Sequence, residues 1–267
     1  MFNLVLFIKT LKSNYKLILI FMGVLAMYMS IIIGMYDPED LDILNQLASL
    51  KLSPELLNAM GFTLIDTSLI GFISSYFYGF LMLAFPMICY IILGNKLVAS
   101  LVDKGSMASI LATPNTRISV ALTQGVFLLI TITGLIGFVF IWGIVYCSIN
   151  LAGMLDIKGF ILLNIGVLLL HYAISGICFF SSCLFNESRT SLMVGAGLPI
   201  AFLLLQMLSN ANKEIETFRF LTIFSLFEPT KLIIGENILP QILSLIAITI
   251  VLYLGGIAVF NKKDLPL

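Results

Sequence analysis

Six stretches of at least 20 residues contain no Asp, Glu, Lys or Arg. They lie between Lys16 and Asp37, Asp66 and Lys96, Arg117 and Asp156, Lys158 and Glu187, Arg189 and Lys213, and Glu236 and Lys262. An α-helix rises about 1.5 Å per residue and the hydrocarbon layer of a bilayer is roughly 30 Å thick, so each stretch holds one membrane-crossing helix. The spacing predicts spans near 17–36, 69–94, 118–147, 160–185, 191–208 and 241–260 within a single transmembrane domain over 1–267. A transmembrane barrel would need strands of roughly 9–11 residues that alternate apolar and polar. Segments such as Leu17 to Met22 and Val126 to Ile132 are apolar on every face, which selects helices. The expected fold class is an all-α polytopic membrane protein: six transmembrane helices, an N-terminal amphipathic helix and one short helix between the second and third spans.

Composition agrees. Hydrophobic residues make up 60% and charged residues 10% of the chain, against roughly 25% charged in a soluble domain. The net charge is zero, so bulk charge points to no nucleic-acid partner, and the distribution of charge matters more than the total. Cys89, Cys147, Cys178 and Cys183 lie in or beside apolar stretches and read as small packing residues rather than metal ligands or disulfide partners. The apolar run after Lys16 exceeds the roughly 7–15 residues of a signal-peptide core and lacks a small-x-small cleavage pattern, so it reads as a retained span.

Orientation follows from where Lys and Arg collect. The side with both termini holds Lys9, Lys12, Lys16, Lys96, Lys104, Arg117, Arg189, Lys262 and Lys263, against only Asp103, Glu187 and Asp264; the other side holds five basic and eleven acidic residues. The basic side is expected to be cytosolic.

Between spans the chain is short. The longest intervals, near 37–68 and 209–240, are too small for a stable core of their own. In the first, Ser53, Pro54 and Gly61 read as N-cap, first-turn proline and terminal glycine of a helix over about 54–60. In the second, Glu228-Pro229 opens a turn from Thr230 to Gly235, read either as dipping into the membrane or as lying on its surface. On the basic side, Lys9, Lys12 and Lys16 share one face of an amphipathic segment, partly opposite Phe7, Ile8 and Leu11. Between Lys96 and Arg117, Ser106 is placed to cap a short helix with Met107, Ile110 and Leu111 on one face, ended by Thr113-Pro114.

Motifs for chemistry are missing. The sequence has no phosphate loop, since Gly94-Asn95-Lys96 and Lys104-Gly105-Ser106 lack its spacing; it has no His-Glu-x-x-His pair and no Gly-x-Ser-x-Gly elbow. One histidine, His171, falls near the middle of the fourth span. An ionisable residue there is a functional candidate, and two readings stand open: a neutral imidazole bonded to a neighbouring helix, or a proton relay. Asn164, Gln124 and Gln206 are expected to tie helices together, and Pro86, Gly195, Gly197 and Pro199 to permit bends or close approach.

The cytosolic segment Val102-Asp103-Lys104-Gly105-Ser106-Met107, continuing through Ile110-Leu111-Ala112-Thr113-Pro114-Asn115-Thr116-Arg117, resembles a pattern of the permease subunits of type-2 ATP-binding cassette exporters: acidic-x-Gly-Ser/Thr, then Leu-Leu-x-x-Pro-x-x-Arg. The closing Phe260-Asn261-Lys262-Lys263-Asp264-Leu265 resembles that family's Phe-x-basic-basic-Asp-Leu. The likeness extends over essentially the full length, with one departure: position 102, often Glu in the family, is Val.

The resemblance implies a permease subunit without catalytic residues. It would pair with a second permease subunit, identical or paralogous, in a bacterial cell membrane with both termini cytosolic. A separate cytosolic ATPase subunit would bind ATP and Mg and drive export of an amphipathic or hydrophobic substrate such as a peptide, drug or lipid-like molecule. The same resemblance makes the short helix a coupling helix, with Asp103, Gly105, Ser106, Met107, Ile110, Leu111 and Pro114 meeting the ATPase, and makes the Lys9, Lys12, Lys16 segment a connecting helix. The alternatives are a secondary, ion-coupled transporter and an intramembrane enzyme; the spans show neither the charged ladder of the first nor the paired catalytic residues of the second.

Overall fold

A computed structural model describes residues 2–37, 54–62, 68–235 and 238–265. Its helices are α1 (Leu4–Gly34), α2 (Pro54–Ala59), α3 (Leu69–Tyr76), α4 (Leu81–Leu97), α5 (Ala99–Asp103), α6 (Ser106–Leu111), α7 (Arg117–Asn150), α8 (Ile157–Leu184), α9 (Ser188–Ala211), α10 (Pro229–Ile234) and α11 (Leu239–Lys262). Two 3-10 segments, Lys213–Leu221 and Ile223–Leu226, precede α10. Six helical stretches are long and apolar enough to cross a membrane: α1, α4 with α5, α7, α8, α9 and α11. No strand occurs among the described residues. The chain is an all-α polytopic membrane protein.

Local chemistry sets several of these starts. Asn3 Oδ1 accepts from Leu6 N at 2.9 Å, Thr116 Oγ1 from Ser119 N at 3.1 Å and Asp156 Oδ1 from Lys158 N at 3.0 Å. Each satisfies an amide that the first helical turn leaves without a partner.

The most buried span, α8, stands at the centre, with α4, α7, α9 and α11 packed on it and α1 leaning on α7 and α4. Lipid supplies no hydrophobic drive between helices, so close packing at small residues has to. At Gly176 an added Cβ would lie 3.0 Å from Leu252 Cβ, and at Gly94 it would lie 3.0 Å from Cys178 Cβ; the glycines let α11 and α4 approach the central helix.

The structure departs from the sequence reading in three places. The amphipathic start and the first span form one unbroken helix, Leu4–Gly34; no proline interrupts the segment, and the Asn14 amide donates to Thr10 O of the same helix at 2.8 Å. The second predicted span, 69–94, is two helices separated by residues 77–80, where Gly79 lies so close to Gly61 and Met60 that an added Cβ would be 3.0 Å from each of their carbonyl oxygens. The short helix before the third span is capped by Gly105 in the left-handed conformation, φ +70°, and Ser106 is its first residue rather than its cap. The turn after Glu228-Pro229, left with two readings by the sequence, forms α10 and lies along α8: Leu232 is buried, and a Cβ at Gly166 would come within 2.6 Å of Leu232 Cδ1. Gly166 is nine residues into α8, about 14 Å along its axis, so the turn reaches well down the bundle.

The helix expected at 54–60 is present as Pro54–Ala59, with Gly61 at φ +73°. Its proposed cap Ser53, together with Glu39, Asp40, Asp42, Lys51, Asp66 and Glu236, lies outside the described residues.

Candidate functional site

The ends of α4, α8 and α11, the starts of α1, α7 and α9, and the short helices α5 and α6 share one end of the bundle, called here the terminal face. Of the six residues of α6, only Met107 is wholly buried, at 0% exposure. Ile110 and Leu111 are half-buried against the core, while Asp103, Lys104, Gly105, Ser106, Ser109 and Pro114 are exposed. Val102 is 2% exposed. The departure from the family pattern at this position therefore faces inward, where an apolar side chain is at home.

Long-range polar bonds tie this face together. Asn3 N donates to Thr123 Oγ1 at 2.9 Å, and Asn3 Nδ2 donates to Asn115 Oδ1, so the start of α1 holds both the loop after α6 and the first turns of α7. Lys96 Nζ donates to Asn14 Oδ1 at 2.7 Å, joining α4 to α1. Ala99 N donates to Ser182 Oγ at 2.8 Å, and Asn95 Nδ2 to Ser188 Oγ at 2.7 Å.

The closing segment completes the frame. Arg117 Nη1 donates to Lys263 O at 2.7 Å, Lys263 Nζ to Phe185 O at 3.0 Å and Asn186 Nδ2 to Asp264 O at 3.2 Å. Arg117 and the Phe260 to Leu265 motif, far apart in sequence, thus meet in space. Burial pulls the Lys263 ammonium below the ordinary lysine range; nearby Cys183 opposes the shift and the Arg117 charge adds to it.

Lys9, Lys12 and Lys16 are all exposed. The inward face of the same turns carries Thr10, Asn14 and Ile18, whereas Ile8 and Leu11 are 42% and 41% exposed. The start of α1 therefore turns hydrogen-bonding residues to the bundle and leaves part of its apolar surface outside. Sequence reasoning overlooked Asn3, Asn14, Asn115 and Ser109. A capping pattern at Asn3 was the one available signal, since the other ties join residues far apart in sequence.

Deep in the bundle His171 is fully buried. Its Nε2 lies 2.8 Å from Met82 O and its Nδ1 2.9 Å from the Tyr90 hydroxyl. A carbonyl only accepts, so Nε2 carries the proton and Nδ1 accepts from Tyr90. Of the other polar residues singled out in the sequence, Gln124 meets Thr10 of α1 at 3.5 Å, Gln206 bonds Asn210 at 3.2 Å and Thr222 at 2.9 Å, and Asn164 Nδ2 returns to Phe160 O of its own helix.

At the opposite end a cavity of about 480 Å³ opens between the α3–α4 break, the end of α9 and the segment before α10. Its wall includes Ser74, Tyr78, Gln206, Ser209, Asn210 and Glu228; Glu228 pairs with Arg219 at 3.3 Å and Lys231 at 2.9 Å. Among the described residues no group of three or more His, Cys, Asp or Glu is placed to hold a metal ion, and the four cysteines are buried free thiols. The terminal face presents a small helix with a polar outer side, seated on a frame that includes Asn3 and the Phe260 to Leu265 segment.

No protein-family model, no curated protein and no solved structure matches this chain.

Proposed function

We propose that the chain is the membrane subunit of a type-2 ATP-binding cassette exporter. With a second permease subunit it forms a path for an amphipathic or hydrophobic substrate, and a separate cytosolic ATPase carrying ATP and Mg drives it. The terminal face is then the cytosolic one, consistent with its excess of Lys and Arg, and the membrane is the bacterial cell membrane.

The observation that carries this reading is α6. It is a six-residue helix held by one wholly buried side chain, Met107; its outer side is left to Ser106 and Ser109, with Asp103 exposed just before it at the end of α5. Immediately beyond it, Asn115 bonds Asn3 and Arg117 bonds Lys263 O. A force on α6 is therefore delivered to α1, α7 and α11 together. The burial pattern divides the residues of the coupling helix by role: Met107, Ile110 and Leu111 anchor it, and the exposed serines with Asp103 meet the ATPase. A partner shifts such a system only if it contacts two states of the bundle differently, and a lightly anchored helix on a tied frame is suited to that.

The test is co-expression of the full chain with any phosphate-loop ATPase that the adjacent reading frames encode. The two are expected to co-purify, with ATP hydrolysis that responds to the permease. Ser109→Arg and Ser106→Arg should abolish that response while the chain still inserts and elutes as a folded species. Normal coupling in both variants, or failure of any such ATPase to bind the native chain, overturns the assignment.

A further inference from the structure

Two prolines lie inside membrane-crossing helices, Pro86 in α4 and Pro199 in α9. Proline has no amide hydrogen, so each leaves the carbonyl four residues earlier without its helical donor. Those carbonyls are Met82 O and Gly195 O. With no water in the hydrocarbon layer to bond it, a freed carbonyl has to find a donor on a neighbouring helix.

Both find one on α8. His171 Nε2 donates to Met82 O at 2.8 Å, and Cys178 Sγ donates to Gly195 O at 3.0 Å. We propose that α8 is a donor post: His171 and Cys178 stand in for the amides that Pro86 and Pro199 lack, and so hold the proline-containing turns of α4 and α9 against the centre of the bundle.

The two donors are seven residues apart on α8, two turns of helix, and so sit on one face with a drift of only about 20°. Both are buried, His171 at 0% and Cys178 at 3% exposure. The imidazole is steadied from α4 itself, because Tyr90, eight residues after Met82, donates its hydroxyl to Nδ1 at 2.9 Å. The neighbours come close enough for the short thiol to reach: a Cβ at Gly94 would lie 3.0 Å from Cys178 Cβ, and one at Gly195 3.4 Å from Cys178 Cα. A thiol is a weak donor, so the imidazole is the stronger of the two bonds.

This geometry favours the bonded neutral imidazole of the two readings of His171. Each ring nitrogen is engaged, and Nε2 gives its hydrogen to a carbonyl that cannot accept a proton outright. His171 is a positioning residue, held in one tautomer. The inference concerns the bundle itself and does not depend on the exporter reading.

Histidine occurs once in the chain, so uniformly 15N-labelled histidine in the full-length protein, held in lipid nanodiscs, reports this imidazole alone. One protonated Nε2 and one unprotonated Nδ1 are expected. A spectrum with Nδ1 protonated, alone or together with Nε2, overturns the proposal. Thermal unfolding in detergent supplies the second arm. His171→Phe should lower the apparent Tm in the native background, and by less than half as much in a Pro86→Ala background, where position 86 regains an amide for Met82 O. Likewise Cys178→Ala should lower Tm, Cys178→Ser should restore it, and Pro199→Ala should erase the difference between them. Equal losses with and without each proline overturn the proposal. If His171→Phe does not fold, the 15N spectrum of the native chain still decides.

Discussion

Replacing Met107 by Ala tests how α6 is held. The side chain is at 0% exposure, and no other residue of the helix is wholly buried. Truncating a buried Met to Ala costs about 2–5 kcal/mol. A helix this short has no stability of its own to set against that loss, so the cost falls on docking. At about 1.4 kcal/mol per factor of ten, the undocked population should grow by roughly 30-fold to several thousand-fold. Hydrogen–deuterium exchange of the purified chain reads this directly. The Ala112 amide, which closes the helix on Ala108 O at 2.8 Å, should lose protection, while the amides in the middle of α8 keep theirs. Ile110→Ala, at a half-buried position, should show the same effect more weakly. If Met107→Ala leaves exchange over 106–112 at the native rate, α6 is held by something other than this side chain, and the division between anchoring and partner-facing residues fails.

Gly105→Ala should destabilise the same helix by about 1–2 kcal/mol, because φ is +70° there and a Cβ is strained in the left-handed region; exchange over 106–112 again reports it. Gly176→Leu places side-chain atoms where a Cβ would already be 3.0 Å from Leu252 Cβ; it should cost about 1–3 kcal/mol or more, seen as a lower aggregation temperature in detergent. For Lys263 the sign follows from its lowered pKa, caused first by burial. Between the folded value and the ordinary lysine value the unfolded chain binds more protons, so this residue makes stability rise with pH across that window. Lys263→Gln should remove that rise from the difference between the two Tm curves; an unchanged slope refutes it.

The crossing helices were legible in the sequence because one physical constraint, the cost of a charge in hydrocarbon, acts on every span. The 118–147 and 160–185 spans appear as Arg117–Asn150 and Ile157–Leu184. The break at 77–80 was invisible to the same reasoning: Phe77, Tyr78, Gly79 and Phe80 are uncharged, and the break coincides with the packing of Gly61, from a separate segment, against Gly79. The amphipathic start and the first span, two elements in the sequence reading, run on as one helix in which Asn14 bonds Thr10 O and Lys96. The ties of the terminal face were unreadable for another reason. Asn3 and Asn115, or Arg117 and Lys263, become partners only after several helices have packed. The same holds for Pro86 and Pro199, which could be read as bends, while their donors on α8 could not.

The unbroken α1 has a mechanical consequence. Its 31 residues make a rod about 46 Å long. Near its far end Ser30 Oγ accepts from Trp142 Nε1 at 2.9 Å, and at its near end Asn3 is bound to Asn115 and Thr123. A jointed pair of helices would absorb a displacement of the near tip at the joint. A stiff rod converts it into rotation: moving Asn3 sideways by one helical pitch, about 5.4 Å, with Ser30 as fulcrum, tilts the rod by about 8°. On the exporter reading, a displacement beside α6 would reach the far end of α1 as a change of angle, with no bond along α1 having to break.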